Sequence, residues 1–99
     1  MKTITPEEVL NKLDANEDLH IVDVRENEEV ANGIIPGAIH IPLGQIPERM
    51  EELNKETPYI CVCHAGGRSF SACSYLEGLG YDVTNLEGGM SAWEGELEF

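Results

Sequence analysis

Segments with strand character alternate with segments of helical periodicity along this chain, and this alternation limits the possible folds more than any other feature. Residues 59–62 (YICV) are apolar without a polar alternation, which is typical of a strand buried on both faces of a sheet. Ala72, Leu76 and Leu79 follow on helical spacing, and Gly80 is placed to end that helix. Strands joined by helices over short connections predict an α/β fold, with a mainly parallel sheet and helices on both faces.

The remaining elements follow from caps and apolar runs. Thr5 is a candidate N-cap, Pro6 suits the first helical position, and Glu8 completes a capping box. Ile46, Met50 and Leu53 lie on one helical face. We expect strands at 19–24, 38–41, 59–62 and 82–86, and helices from 6, at 26–32, at 47–54 and from 68 or 69, with a last short helix carrying Trp93.

Length and charge set further limits. The 99 residues suffice for one domain, 1–99, in which the acidic tail 94–99 is expected to be frayed. Nineteen acidic residues face six basic ones, for a net charge of -13. This balance excludes the basic footprint that nucleic acids and anionic membranes require, and it favours a soluble monomer.

Cysteine usage and the amino terminus bear on location. The first residues contain no continuous apolar signal region, and no run is long enough to span a membrane. The three cysteines are an odd number without the spacing of a disulfide framework. We therefore expect a reducing cytoplasmic setting with free thiols.

Residues 61–69 (CVCHAGGRS) are the candidate functional segment. Cys63 follows the predicted strand, and the loop of His64, Ala65, Gly66 and Gly67 leads into a helix near Arg68. Ligands of parallel sheets gather at the carboxyl ends of the strands, where loop amides and a helix N-terminus favour negative charge. The pKa of a thiol there is lowered, because the thiolate is the stabilised form. Cys63 is thus a candidate nucleophile held in an anion cradle.

An arginine after a cysteine loop also describes another enzyme class. Cdc25-type phosphatases and arsenate reductases use Cys-x5-Arg, whose larger loop wraps a tetrahedral oxyanion. From Cys63 to Arg68 the pattern is Cys-x4-Arg, a tighter loop that suits a single sulfur atom better.

Residues 63–69 (CHAGGRS) resemble the Cys-x-x-Gly-x-Arg-Ser active loop of rhodanese domains. Further blocks resemble the same family in the same order: 23–26 (DVRE), 33–42 (GIIPGAIHIP), 79–81 (LGY), and 86–89 (LEGG) with Trp93. Ile34, where the family usually has His, and Val30, where an aromatic residue is common, depart from the pattern outside the active loop.

The resemblance implies a three-layer rhodanese-like fold with a five-stranded parallel sheet. It also implies a sulfurtransferase, in which Cys63 takes sulfur from a donor such as thiosulfate, becomes a persulfide and passes the sulfur to an acceptor. Residues 64–68 would form the loop whose amides hold that sulfur, with no cofactor. The acidity of the chain suggests that a protein thiol or persulfide, rather than thiosulfate, is the real donor.

Other residues have simpler interpretations. Arg68 either reaches the anion or pairs with an acidic side chain to fix the loop, and the sequence does not favour one over the other. Asp23 and Arg25 are interpreted as a structural pair, and Cys61 and Cys73 as packing residues. No usual Cys-x2-Cys spacing supports a metal site.

Three classes of function therefore compete. The first is a sulfurtransferase acting through Cys63, and the second is a phosphatase or arsenate reductase. The third is a catalytically silent module that binds a partner or regulates. Silent members typically lack the cysteine, which this chain keeps.

Overall fold

The computed structural model describes residues 1–99 and has a single five-stranded sheet at its centre. All neighbouring strands are parallel, in the order β1-β5-β4-β2-β3. The strands are β1 (Lys2–Ile4), β2 (Ile21–Asp23), β3 (Ile39–His40), β4 (Tyr59–Val62) and β5 (Val83–Leu86). The predicted α/β class and parallel sheet are confirmed, and β4 has the predicted bounds.

Four α-helices connect the strands: α1 (Pro6–Asp14), α2 (Asn27–Val30), α3 (Ile46–Arg49) and α4 (Gly67–Gly78). The capping box of α1 forms as predicted, because the Glu8 amide donates to Thr5 Oγ1 and the Thr5 amide donates to Glu8 Oε1, each at 3.1 Å. Three short 3-10 turns complete the connections, at Leu43–Gln45, Met50–Glu52 and Gly89–Ala92. None of the helices combines the length and the apolar character needed to cross a bilayer.

Two apolar clusters lie on opposite faces of the sheet. The larger one packs α4 and α3 against β2 and β4, with Leu76, Ala72 and Ile46 fully or almost fully buried. The smaller one packs α1 against the other face through Val9. Side chains of β4 alternate between the clusters, so the strand is buried on both sides, as its uninterrupted apolar run predicts.

Two elements differ from the sequence-based expectation. The strand β1 was not expected, because Lys2 and Thr3 are exposed at the sheet edge and leave only Ile4 as an apolar signal. The helix expected at 47–54 is instead an α-helical turn, Ile46–Arg49, followed by a 3-10 turn, Met50–Glu52. An ion pair joins Arg49 and Glu52 at a spacing of three residues, and such side chains come closest in the tighter 3-10 geometry.

The tail at 94–99, which the sequence predicts to be frayed, contacts the loop after α2 at two residues. Glu98 forms an antiparallel bridge with Ile34, in which the two residues exchange backbone hydrogen bonds of 2.7 and 2.9 Å. Leu97 packs against Gly33, where a Cβ on the glycine would lie 2.9 Å from Leu97 Cδ1. The acidic side chains of the tail are exposed, which is why composition favoured fraying. The backbone of Glu98 and the side chain of Leu97 nevertheless contact the loop after α2.

Candidate active site

Cys63 lies directly after β4, an inner strand of the sheet, at the edge where the strands end. The chain then turns sharply and enters α4 at Gly67. This turn depends on Gly66, the N-cap of the helix, whose φ of +106° is a conformation that side chains with a Cβ rarely adopt. The buried strand and the glycine turn together place the thiol at the start of a twelve-residue helix.

The sulfur of Cys63 accepts hydrogen bonds from the turn that follows it. The Gly66 amide donates to Sγ at 3.0 Å, and the Ser69 hydroxyl lies 3.3 Å from Sγ. Burial raises the pKa of the Cys63 thiol, but hydrogen bonds from the Ser69 side chain and from the amides of Ser69, Gly66 and Ala65 outweigh it. The net pKa lies below the ordinary value, so the site stabilises a thiolate as the sequence predicts.

A buried polar pair supports this turn from β5. The Ser69 hydroxyl lies within hydrogen-bond distance of both Asn85 Oδ1 and Cys63 Sγ, which share its one proton, and Asn85 donates through Nδ2 to the Gly66 carbonyl at 3.2 Å. Asn85 and Ser69 are both buried, so each polar group needs these partners. Asn85 therefore holds two of the residues around the sulfur, Gly66 and Ser69.

The 3-10 turn Gly89–Ala92 fixes the loop from the other side. The amides of Met90 and Ser91 donate to the carbonyls of Cys63 and His64, each at 2.8 Å. A Cβ on Gly89 would overlap the Cys63 carbonyl and lie 2.7 Å from the His64 carbonyl oxygen. Only glycine allows the two backbones to approach this closely.

Arg68 pairs with Glu29 of α2. Its two terminal nitrogens donate to the two carboxylate oxygens at 2.6 and 2.7 Å. These bonds lower the pKa of Glu29 to about 2, so its carboxylate stays ionised through the neutral range. The stabilisation from this pair is complete above the ordinary pKa of 4.5 and is lost as the pH falls toward 2. Because both side chains are about one-third exposed, solvent limits it to ~1 kcal/mol or less.

Four other residues singled out from the sequence lie on the active-site loop (His64 and Ala65) or in a separate pair (Asp23 and Arg25). His64 and Ala65 are exposed on the loop, whereas Cys63 is buried. Asp23 and Arg25 form the expected buried pair, at 2.8 Å.

The two remaining cysteines pack in the core. Cys61 and Cys73 are free, buried thiols, and the hydrogen bond from Cys73 together with burial raises the pKa of Cys61. Nowhere do three His, Cys, Asp or Glu side chains come close enough to hold a metal ion.

Sequence reasoning did not assign three residues of the site. Ser69 had a weak signal, as the last residue of the segment that resembles an active loop. Glu29 and Asn85 had none, because they lie 39 and 16 positions from the residues that they contact. Their roles depend on how α2 and β5 are placed beside the loop.

The fold and the site define a class of protein: a parallel α/β sheet that presents a cysteine thiolate, held by loop amides, at its carboxyl edge. Within this class the chain belongs to the rhodanese family, because the family model of the rhodanese-like domain matches residues 5–96.

Individual relatives agree with this assignment. The chain is 49% identical to a putative sulfurtransferase, YtwF, of Bacillus subtilis, over 99% of this chain and 95% of the relative. It is 42% identical to a sulfurtransferase of Allochromatium vinosum, over 91% of this chain and 85% of the relative. A crystal structure of a rhodanese-like domain protein from Staphylococcus aureus superposes with a TM-score of 0.95 at 47% identity, covering 100% of this chain and 98% of the other.

Proposed function

We propose that this protein is a sulfurtransferase that carries sulfane sulfur as a persulfide on Cys63. The observation that carries the proposal is the environment of the sulfur, which accepts hydrogen bonds from Gly66 and Ser69 while Arg68 is engaged elsewhere. A phosphatase needs a free cation for a tetrahedral oxyanion, and the pairing of Arg68 with Glu29 removes the one arginine of the loop. The arrangement therefore favours sulfur over phosphate.

The first step loads the cysteine. The Cys63 thiolate attacks the outer sulfur of the donor, a bond forms between the two sulfurs, and the donor's bond to that sulfur breaks with its electron pair leaving on the donor. With thiosulfate the leaving group is sulfite; with a persulfide it is a thiolate. The thiolate is the nucleophile, and the lowered pKa of Cys63 increases the fraction of it that is present without a dedicated base.

The second step transfers the outer sulfur from Cys63 to an acceptor. An acceptor nucleophile attacks the outer sulfur of the Cys63 persulfide, and the sulfur–sulfur bond breaks to return the thiolate. The amides of Ala65 and Gly66 and the Ser69 hydroxyl stabilise negative charge at this point in both steps. The sulfur travels covalently on Cys63 throughout, so the proposed reaction uses no cofactor.

Intact mass after incubation with thiosulfate tests this function. The wild type should gain the mass of one sulfur atom, Cys63→Ser should gain none, and cyanide should remove the gain. Cys73→Ser is the matched control, since it alters a free cysteine in the core and should still load.

Cysteine persulfide and polysulfide are tried in parallel, because the acidic chain is expected to disfavour a dianionic donor. Absence of any gain with all three donors would overturn the proposal. Hydrolysis of an aryl phosphate that depends on Cys63 would also contradict it, by supporting the phosphatase alternative.

A further inference from the structure

A groove opens beside the active-site loop, with a volume of about 470 Å³. His64 lines one end of it, directly next to Cys63 in the chain. Met90, Trp93 and Leu97 give it apolar walls, and Arg25, Glu29 and Asn32 give it a polar side. Leu97 remains 41% exposed there, although the tail that carries it is fixed by backbone hydrogen bonds. The groove is therefore a formed apolar surface next to the reacting cysteine.

No free cation serves this edge of the sheet. Five of the six basic side chains are engaged in ion pairs: Lys2 with Asp82, Lys12 with Glu17, Arg25 with Asp23, Arg49 with Glu52 and Arg68 with Glu29. The sixth, Lys55, lies over the ring of Tyr81, 5.5 Å from its centroid. Both residues precede strands, so they lie at the opposite edge, where the strands begin.

Among the carboxylates near the groove, Glu29 is paired with Arg68. Glu26, Glu28 and Glu98 form no ion pair. Glu26 and Glu28 are exposed at the start of α2, three residues and one residue before Glu29, which lines the groove. Glu98 is exposed directly after Leu97. Because both arginines beside the groove are paired with carboxylates, these exposed glutamates and the net charge of -13 present a negative potential to an approaching molecule, screened over about 8 Å at an ionic strength near 0.15 M.

This charge bears directly on the second step of the proposed reaction. The outer sulfur of a persulfide and an attacking thiolate are both negative, and the surrounding carboxylates add to their repulsion. A thiolate flanked by lysine or arginine would bring compensating charge with it. The groove, moreover, is much larger than a single small anion needs, and its apolar walls fit side chains of a polypeptide.

We propose that the groove binds a basic polypeptide segment whose cysteine exchanges sulfur with Cys63; this inference rests on the proposed function. The partner's thiolate attacks the outer sulfur of the Cys63 persulfide, a new sulfur–sulfur bond forms on the partner, and Cys63 leaves as the thiolate. The reverse direction loads Cys63 from the partner's persulfide. No oxidant or reductant is consumed in either direction.

Two synthetic peptides of equal length, each with one central cysteine, test the proposal. One carries flanking lysines and the other flanking glutamates, and each is mixed with protein loaded on Cys63. Loss of the sulfur is followed by intact mass at low and high ionic strength. Each rate is divided by the rate of the same peptide with a neutral disulfide, which corrects for differences in thiol pKa.

The lysine peptide should react at least about tenfold faster than the glutamate peptide at low ionic strength, and the ratio should shrink at high ionic strength. Cysteamine, a small cationic thiol, shows whether charge alone suffices. If it matches the lysine peptide at equal thiolate concentration, the groove does not bind a polypeptide and the proposal is wrong.

Paired charge reversals locate the binding surface. The double variant Glu28→Lys and Glu98→Lys changes the groove edge, and the control Asp18→Lys and Glu56→Lys changes exposed residues that precede β2 and β4 at the opposite edge. Both variants have the same net charge. The first should lose most of the preference for the lysine peptide, and the second should keep most of it; equal losses would overturn the groove as the docking site.

Leu97→Ala tests the apolar wall. It should slow discharge to the lysine peptide about threefold relative to the same variant's discharge to cyanide. Discharge to cyanide also separates the two proposals. If Cys63 loads and cyanide empties it while the peptides show no preference, the docking proposal fails and the sulfurtransferase stands; if Cys63 never loads, the proposed function itself fails.

Discussion

At the scale of single residues, the buried hydroxyl of Ser69 is one of the groups that lower the pKa of Cys63. Ser69→Ala removes the side-chain hydrogen bond to the sulfur and leaves the burial that raises the pKa. A hydrogen bond to a charged group contributes about 1.5–3 kcal/mol, so we expect the pKa of Cys63 to rise by about one unit or more. The pH dependence of alkylation by iodoacetamide measures it: the wild-type midpoint should lie below 9.0, and the variant midpoint above that of the wild type.

Ser71→Ala is the matched control for this measurement. Ser71 lies on the exposed side of the same helix and donates only to the Gly67 carbonyl, at 3.4 Å. Its removal should leave the alkylation profile unchanged. A profile for Ser69→Ala that coincides with the wild type would show that the loop amides alone stabilise the thiolate.

The same scale shows why part of the site could be predicted and part could not. Cys63 and Gly66 were recognisable because a strand, a glycine turn and a helix start are local patterns. The sequence left two roles open for Arg68, and only the position of Glu29 across the sheet edge decides that it forms an ion pair. Asn85 is an ordinary strand residue until the fold places it beneath Ser69 and Gly66.

At the scale of elements, the turn between β4 and α4 can be tested with two adjacent glycines. Gly66→Ala forces a Cβ into a backbone with φ of +106°, which should lower the free energy of unfolding by about 1–3 kcal/mol. Gly67→Ala is the control, because Gly67 begins the helix, lacks a positive φ and has room for a Cβ, with no neighbouring atom within 4 Å of it. It should leave stability unchanged or raise it by about 0.4–1 kcal/mol. Urea unfolding compares the two, and equal effects would contradict the assigned turn geometry.

Elements were predictable where local signals and tertiary packing agree. For β4, four apolar residues fill both faces of an inner strand, so pattern and environment coincide. At β1 only Ile4 is buried, and pairing with β5 rather than any local pattern makes the segment a strand. The apolar spacing of Ile46, Met50 and Leu53 identified the buried face of the third connection correctly, yet it did not distinguish an α-helix from successive tight turns.

At the scale of the whole molecule, charge is the property that most affects reaction with a small anion. A net charge of -13 on 99 residues repels the thiosulfate dianion before any contact forms. The arginine of the loop, Arg68, does not offset this repulsion of thiosulfate, because it is paired with Glu29. The amides around Cys63 attract negative charge only at short range.

The rate at which thiosulfate loads Cys63 should therefore rise with salt. Between ionic strengths of about 0.01 and 0.15 M the screening length falls from about 30 to 8 Å, which removes most of the long-range repulsion. The second-order rate of sulfite release, measured at fixed pH with an inert salt, should increase several-fold over this range. A neutral donor such as an uncharged trisulfide controls for effects of salt on the thiolate and should change little. A thiosulfate rate that falls with salt would mean that a local positive potential at the loop outweighs the charge of the whole molecule.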